Sequence, residues 1–230
     1  MSKRDERKQQ SRQALLDAVL ALSASGRAFS SMSLREIARH AGLVPAAFYR
    51  HFADLDQLGL ELVDQAALHL KGVLHQLGQA HLRQADARTA GSLELFFQSV
   101  EHYPEPWIFL ISERWGGSAL LRQAIDREIQ CLIDDLANSL RRAESMQHMQ
   151  EAQDLQVLSQ ILIHLALDWA MGWIEIRRRF EPGLQAGQRG RFQAQTLIQM
   201  QLLFRGILNW QRGAAGQHAA DEKNASQALD

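Results

Sequence analysis

An all-α protein, with an N-terminal three-helix unit ahead of a larger helical body, is what this 230-residue sequence predicts. Three observations carry the prediction. Apolar residues recur at helical spacing through long segments, and the period-two Val/Ile/Thr alternation of strands is absent. Proline is scarce, with Pro45, Pro104, Pro106 and Pro182 falling between those segments. The chain is 46% hydrophobic and 22% charged, which suits a packed core, and it shows no internal repeat.

The elements follow in order. A first helix is expected from about Gln10 to Ala24, with Ala14, Leu15, Ala18, Val19 and Leu22 as its apolar stripe and Ser25-Gly26 as its end. Ser33 is a good N-cap with Glu36 three residues later, the capping box of a second helix that runs to about His40. Gly42 supplies the positive φ of a sharp turn. Pro45 suits the first position of a short third helix, Pro45 to His51. Asp54 caps a long fourth helix with Leu58, Leu62, Ala66, Leu70, Val73, Leu74 and Leu77 inward. Helical patterns continue at 89–102, 105–114, 118–144, 152–179 and 189–211. The segment "EPGLQAGQRG", with Pro182 and three glycines, reads as a loop, and the polar tail 213–230 as disordered.

Net charge is close to zero but unevenly spread. Residues 1–52 carry nine Lys and Arg against four Asp and Glu, a net of +5, and the rest carries 16 against 22. That asymmetry points to a basic module that meets a polyanion, or else to charges clustered by chance in a flexible N-terminus. Lys3, Arg4, Arg7 and Lys8 read equally as an arm along a nucleic-acid backbone or as a solvated tail. The single cysteine, Cys131, excludes a disulfide framework and fits a reducing cytoplasm. "MSKRDERKQQSRQ" has no apolar stretch and is no secretory signal. The apolar run Leu155 to Ile176 is broken by Gln156, Gln160, His164, Asp168 and Glu175, so it is expected to be a buried helix and not a membrane span.

Residues 33–52 form a helix-turn-helix, two short helices joined by a tight turn, whose second helix can enter the DNA major groove. Ala38 must be small where the helices cross; Ile37, Ala41 and Phe48 supply the shared core. Pro45, Ala46, Ala47 and Arg50 are left for the groove, where methyl groups meet thymine and arginine meets guanine or phosphate. Ser33 and Arg35 open the second helix, where backbone N–H groups and a cation suit a phosphate. Read alone, Tyr49 and His51 would be an aromatic pair packed on the first helix.

The segment "LREIARHAGLVPAAFYRHFADLDQLGLEL" resembles the DNA-binding module of the TetR family of bacterial repressors. The matching positions are Ile37-Ala38, Ala41-Gly42, Phe48-Tyr49-Arg50-His51-Phe52 and Leu58. The resemblance implies that Tyr49 and His51 contact DNA phosphates and that Phe52 is core. Val44, Ala46 and Leu55 stand where the family often has Ser, Gly and a phosphate-binding Lys. The operator sequence therefore cannot be carried over. "SLREIARHAGLVPAAFYRHFADLDQLGL" together with "ERWGGSALLRQAIDREIQ" is similar to the subgroup that controls unsaturated fatty-acid synthesis and desaturase genes and senses acyl-CoA.

The resemblance implies an N-terminal DNA-binding domain, 1–53, and an effector-binding and dimerisation domain, 54–212. The implied partners are a double-stranded DNA operator, a second copy of the chain and a small-molecule effector, long-chain acyl-CoA, with no resident cofactor and no metal. "TLIQMQLLFRGILNW" is apolar nearly all round and, with helix 152–179, would build the homodimer bundle; alternatively both are monomer core. Phe96, Val100, Trp107, Phe109, Leu110, Arg114, Ile129, Ile133, Leu165, Asp168 and Trp169 are the expected effector-pocket residues, within a wider apolar set that includes Trp115. Arg122, Arg127, Arg141, Arg142 and Arg177-Arg178-Arg179 are further cations for CoA phosphates, the last three more simply a solvated helix end. His164 and Asp168 read as a buried, mutually satisfied pair and second as groups orienting a ligand head.

An alternative keeps the DNA module and assigns the pocket another lipophilic molecule, with an efflux or catabolic gene as target. An enzyme is disfavoured. His69, His75 and His81 turn about 240° per step and share no face for a metal. There is no phosphate loop, nucleophile elbow or His-Glu-x-x-His, and Cys131 reads as packed.

Overall fold

The computed structural model describes residues 3–82, 89–143, 146, 147, 149 and 151–210. Among them every regular element is helical: α1 (Lys3–Ala24), a 3-10 turn (Phe29–Ser31), α2 (Leu34–His40), α3 (Pro45–Phe48), α4 (Leu55–Leu82), α5 (Thr89–His102), α6 (Glu105–Glu113), α7 (Ala119–Arg141), α8 (Ala152–Arg179) and α9 (Pro182–Leu208). Leu77, His81 and the tail 213–230 lie outside the residues whose side chains are described.

Local chemistry sets the head, α1 to α3. Ser33 Oγ accepts the Glu36 N–H at 3.2 Å, closing half of the expected capping box. Glu36 does not reciprocate; its carboxylate pairs with Arg27 at 2.9 Å. Gly42 has φ +69°, as the turn requires. Pro45 begins α3, but that helix ends at Phe48, and Tyr49 to His51 continue as a turn, shorter than the sequence predicts. Asp54 Oδ1 accepts the Gln57 N–H at 2.8 Å and starts α4. The first helix is longer than expected. It begins at Lys3, so the basic residues at 3, 4, 7 and 8 stand exposed on a helix. Lys, Arg, Gln and Glu are good helix formers, and that outweighs the lack of an apolar face there.

In the body α7 lies along α4 and α8, and α6 packs on both α1 and α4. α9 folds back along α8 as an antiparallel hairpin: Trp169 Nε1 donates to Gln199 Oε1 at 2.7 Å and Trp210 Nε1 to Asp154 Oδ2 at 2.9 Å. The expected "EPGLQAGQRG" loop is the first two turns of α9. Pro182 sits at the first helical position, and Gln185 Nε2 donates to the Phe180 carbonyl at 3.0 Å, so the hairpin needs only a short turn. By length and mean hydropathy α8 would suffice to cross a membrane. Here half of that stretch is buried against its neighbours.

One apolar core runs without a break from Leu16, Ile37, Phe48 and Phe52 in the head to Trp107, Phe109 and Trp169 in the body. A smaller cluster of Leu140, Met146, Met149, Leu155, Leu158 and Ile207 closes the far end. Head and body are thus joined by packing as well as by α4.

Candidate nucleic-acid interface and effector cavities

The head separates core from surface within five residues. Phe48 and Phe52 are buried in the common core, with ring centroids 5.7 Å apart. Tyr49 is 66% exposed, set edge-on to Phe48. Arg50, Pro45 and Ala46 are exposed, and Ala47 is half-buried. Ser33 and Arg35 are exposed beside them. A shallow concavity between α2 and α3 is rimmed by Arg27, Ser33, Arg35, Arg39, Val44 and Pro45. Of the expected contact residues, Ser33, Arg35 and Pro45 share this concavity at the start of both helices, and Ala46, Tyr49 and Arg50 are exposed further along the chain. Arg39 joins the first three; its place one turn after Arg35 on α2 was the available signal.

His51 is half-buried, and its Nδ1 has no hydrogen-bond partner. Burial holds its pKa below 6.5, and the positive charges of Lys8, Arg12 and Arg50 push the same way. Three cations around a neutral imidazole make a field that favours an anion. Arg12 is fixed there by an ion pair with Glu61 and by stacking over the Phe52 ring at 4.8 Å. Lys8 and Arg12 both belong to α1, Lys8 within the part of that helix that extends beyond the expected start.

Besides the Arg12–Glu61 pair, two further polar contacts among the described residues tie head to body. Phe29 is buried, edge-on to Phe109 at 6.3 Å, and its N–H donates to Glu113 Oε1 at 2.8 Å. A Cβ on Gly59 would stand 2.8 Å from the Phe29 ring, so α4 can pass over that ring only with glycine there. Glu113 is itself buried, and its second oxygen has no partner. At the other contact Arg178 donates to the Ala24 carbonyl at 2.5 Å and pairs with Glu175 at 3.2 Å. The expected solvated helix end is, at Arg178, a contact with the end of α1.

Among the described residues, apart from an open cleft of about 470 Å³ between α5, α8 and α9, two mostly apolar cavities lie between α4, α7 and α8. The larger, about 440 Å³, is enclosed by Leu93, Leu158, Leu162, Trp169, Met200 and Phe204, with Lys71, His75, Asp135 and Arg142 at its rim. Lys71 is bound to Asp135, whose hydrogen bond and charge raise the Lys71 pKa. The smaller, about 280 Å³, is lined by Leu110, Arg114, Ile129, Leu132, His164 and Asp168, with others. Of the pocket residues predicted from sequence, Trp169 faces the larger cavity and Leu110, Arg114, Ile129 and Asp168 the smaller. Phe96, Val100, Trp107 and Phe109 are solid core, and neither they nor Ile133 and Leu165 line either cavity. Lys71 was missed; a lysine amid the inward stripe of α4 was its signal.

Other expectations are corrected. His164 and Asp168 are not a pair: Asp168 is exposed, and His164 Nε2 lies 3.3 Å from an Arg114 nitrogen. Burial and then the Arg114 charge lower the His164 pKa, so its Nε2 accepts from the guanidinium. Trp115 is 81% exposed, with Arg114 over its ring at 5.5 Å, and still lines the smaller cavity. Cys131 is exposed and not packed, because the face of α7 that turns inward carries Ile129, Leu132 and Ile133.

Comparison with known proteins agrees with this arrangement. The family model described as "Bacterial regulatory proteins, tetR family" matches residues 15–62, and "Tetracyclin repressor-like, C-terminal domain" matches residues 85–204. The structure is similar to the fatty acid degradation regulator FadR from Bacillus halodurans, at 12% identity and TM-score 0.56 over 87% of this chain and 96% of that one. It is similar to NalD, the secondary repressor of the MexAB-OprM multidrug efflux pump in Pseudomonas aeruginosa, at 23% identity and TM-score 0.54 over 88% and 99%. FadR from Bacillus subtilis, solved in complex with stearoyl-CoA, aligns at 14% identity and TM-score 0.54 over 87% and 99%. At such identities the likeness is one of fold.

Proposed function

This chain belongs to the tetR family of bacterial regulatory proteins, a family of DNA-binding transcriptional regulators and not of enzymes, and on that premise we propose that it is a repressor controlled by long-chain acyl-CoA. Its targets are then genes of fatty-acid desaturation or unsaturated fatty-acid synthesis, and its place is the cytoplasm. Tyr49, His51 and Arg35 grip operator phosphates, while Pro45, Ala46, Ala47 and Arg50 meet base edges. One helix-turn-helix buries little surface, so a homodimer supplies two of them to a palindromic site. Val157 and Ile161 on α8 and Ile198 and Leu202 on α9, all exposed in the single chain, form the dimer face.

The observation that carries the effector is the larger cavity. Its lining runs from Leu132 to Leu140 on α7 and from Leu158 to Trp169 on α8, its walls are mostly apolar, and Lys71 and Arg142 stand at its rim. An acyl chain fits the interior, and the CoA phosphates fit the cations. The similarity to a FadR solved with stearoyl-CoA supports the same reading. A positively charged drug is a poorer match, because the rim carboxylate Asp135 is already paired with Lys71. The effector acts by binding two arrangements of the dimer unequally. Duplex DNA selected in vitro by the protein provides the test. Its affinity should differ between saturated and cis-unsaturated acyl-CoA, since a kinked chain packs differently against Trp169 and Phe204; equal affinities would refute the proposal.

A further inference from the structure

The two cavities follow one another along α4 and α7 and lie against neighbouring faces of α8. On α4, Lys71 and Leu74 line the larger, and Ala67 and Leu70, one turn nearer the head, line the smaller. On α8, Ile163, Ala166 and Trp169 face the first, and His164, Leu167 and Asp168, interleaved with them, face the second. On α7, Asp135 faces the first and Ile129 the second, and between them Leu132 lines both. Leu132 is buried, and it is the residue common to the two linings.

We infer that Leu132 is the partition that selects acyl-chain length, an inference that rests on the acyl-CoA reading of the larger cavity. A chain entering past Lys71 and Arg142 fills the larger cavity first. A chain too long for it meets the Leu132 side chain end-on. It continues only if that side chain turns to another staggered rotamer. Beyond lie the apolar walls of Leu70, Ile129 and Leu167, and then Arg114 and His164. Arg114 directly follows Glu113, whose carboxylate holds the Phe29 N–H. Chains that pass Leu132 therefore reach the end of α6 that grips the head, and shorter chains do not. Length thus becomes a property the DNA-binding head can register.

Isothermal titration of the full-length protein with a saturated acyl-CoA series, octanoyl to arachidoyl, tests this. In the unmodified protein affinity should rise about fourfold per methylene and then level off where the chain meets Leu132. Leu132→Ala joins the cavities, and the rise should continue to longer chains. Leu132→Phe thickens the partition, and long chains should lose at least tenfold while short ones are unchanged. Circular dichroism and a thermal melt verify that each variant is folded, and Leu132→Met replaces Leu132→Phe if the latter is not. The same length profile in the unmodified protein and in the folded variants would overturn the inference and leave the effector standing. Absence of binding at every length would overturn the effector and the inference together.

Discussion

Between Phe48 and Phe52 neighbouring residues have opposite duties, and single substitutions should separate them. Phe48 is fully buried, so Phe48→Ala should cost about 3–5 kcal/mol of stability, read from a urea melt. Tyr49 is exposed, so Tyr49→Ala should change stability by no more than about 0.5 kcal/mol. It should instead weaken binding to non-specific duplex DNA and lower the salt slope by about one. His51 adds a pH signature. Burial and then Lys8, Arg12 and Arg50 keep its pKa below 6.5 in the free protein. A DNA phosphate beside it would raise that pKa, so binding takes up a proton and affinity should strengthen as pH falls from 8 towards 6. Fluorescence anisotropy across that range should show the trend, and His51→Gln should flatten it. Ser33, Gly42, Pro45 and Asp54 were legible in the sequence because caps and turns depend on the residue and its immediate neighbours. The pairing of His164 was not, since its partner comes from another helix.

Among the elements, α6 has the largest mechanical role for its length. Its last residue, Glu113, reaches the 3-10 turn of the head, and its neighbour Arg114 faces the smaller cavity. Glu113→Ala would leave the buried Phe29 N–H unpaired, at about 1–3 kcal/mol. It should also shrink the difference in DNA affinity between effector-loaded and effector-free protein. Glu113→Gln keeps an acceptor oxygen at the same place and should retain most of both properties. A urea melt and a DNA titration with and without palmitoyl-CoA check the pair. Element identity was largely legible, because helical periodicity runs through each segment. The start of α9 was not: three glycines argue for a loop, and only packing against α8 and the proline at its first position decide otherwise. Cys131 shows the same limit, since composition says that a helix has an inner face but the neighbours choose which one it is.

At the scale of the molecule, a single chain leaves large apolar side chains in water. Ile198 is 57% exposed and Leu202 65%, four residues apart on α9. Such a stripe matches an interface and not a finished surface. Ile198→Glu with Leu202→Glu should therefore leave helicity intact and yield monomers in sedimentation equilibrium. DNA affinity should fall by more than tenfold as the second half-site is lost. A dimer that survives both charges would place the interface elsewhere. The uneven charge along the chain was legible as a basic head on a more acidic body. The two cavities were not, because a void is defined by what several distant helices fail to fill, and no local pattern records it.

The Phe29 socket bears on how freely such a sensor can be rewired. Composition changes near residue 54, which invites exchange of residues 1–53 as a cassette for a new DNA specificity. The ring of Phe29, however, lies under Gly59, and its backbone is held by Glu113. A donor head with a bulkier residue at that place, or a recipient with any side chain at 59, would have to displace that ring from its seat. The portable unit of recognition in this protein therefore extends into α4 past Gly59, and its counterpart in the sensor includes Glu113.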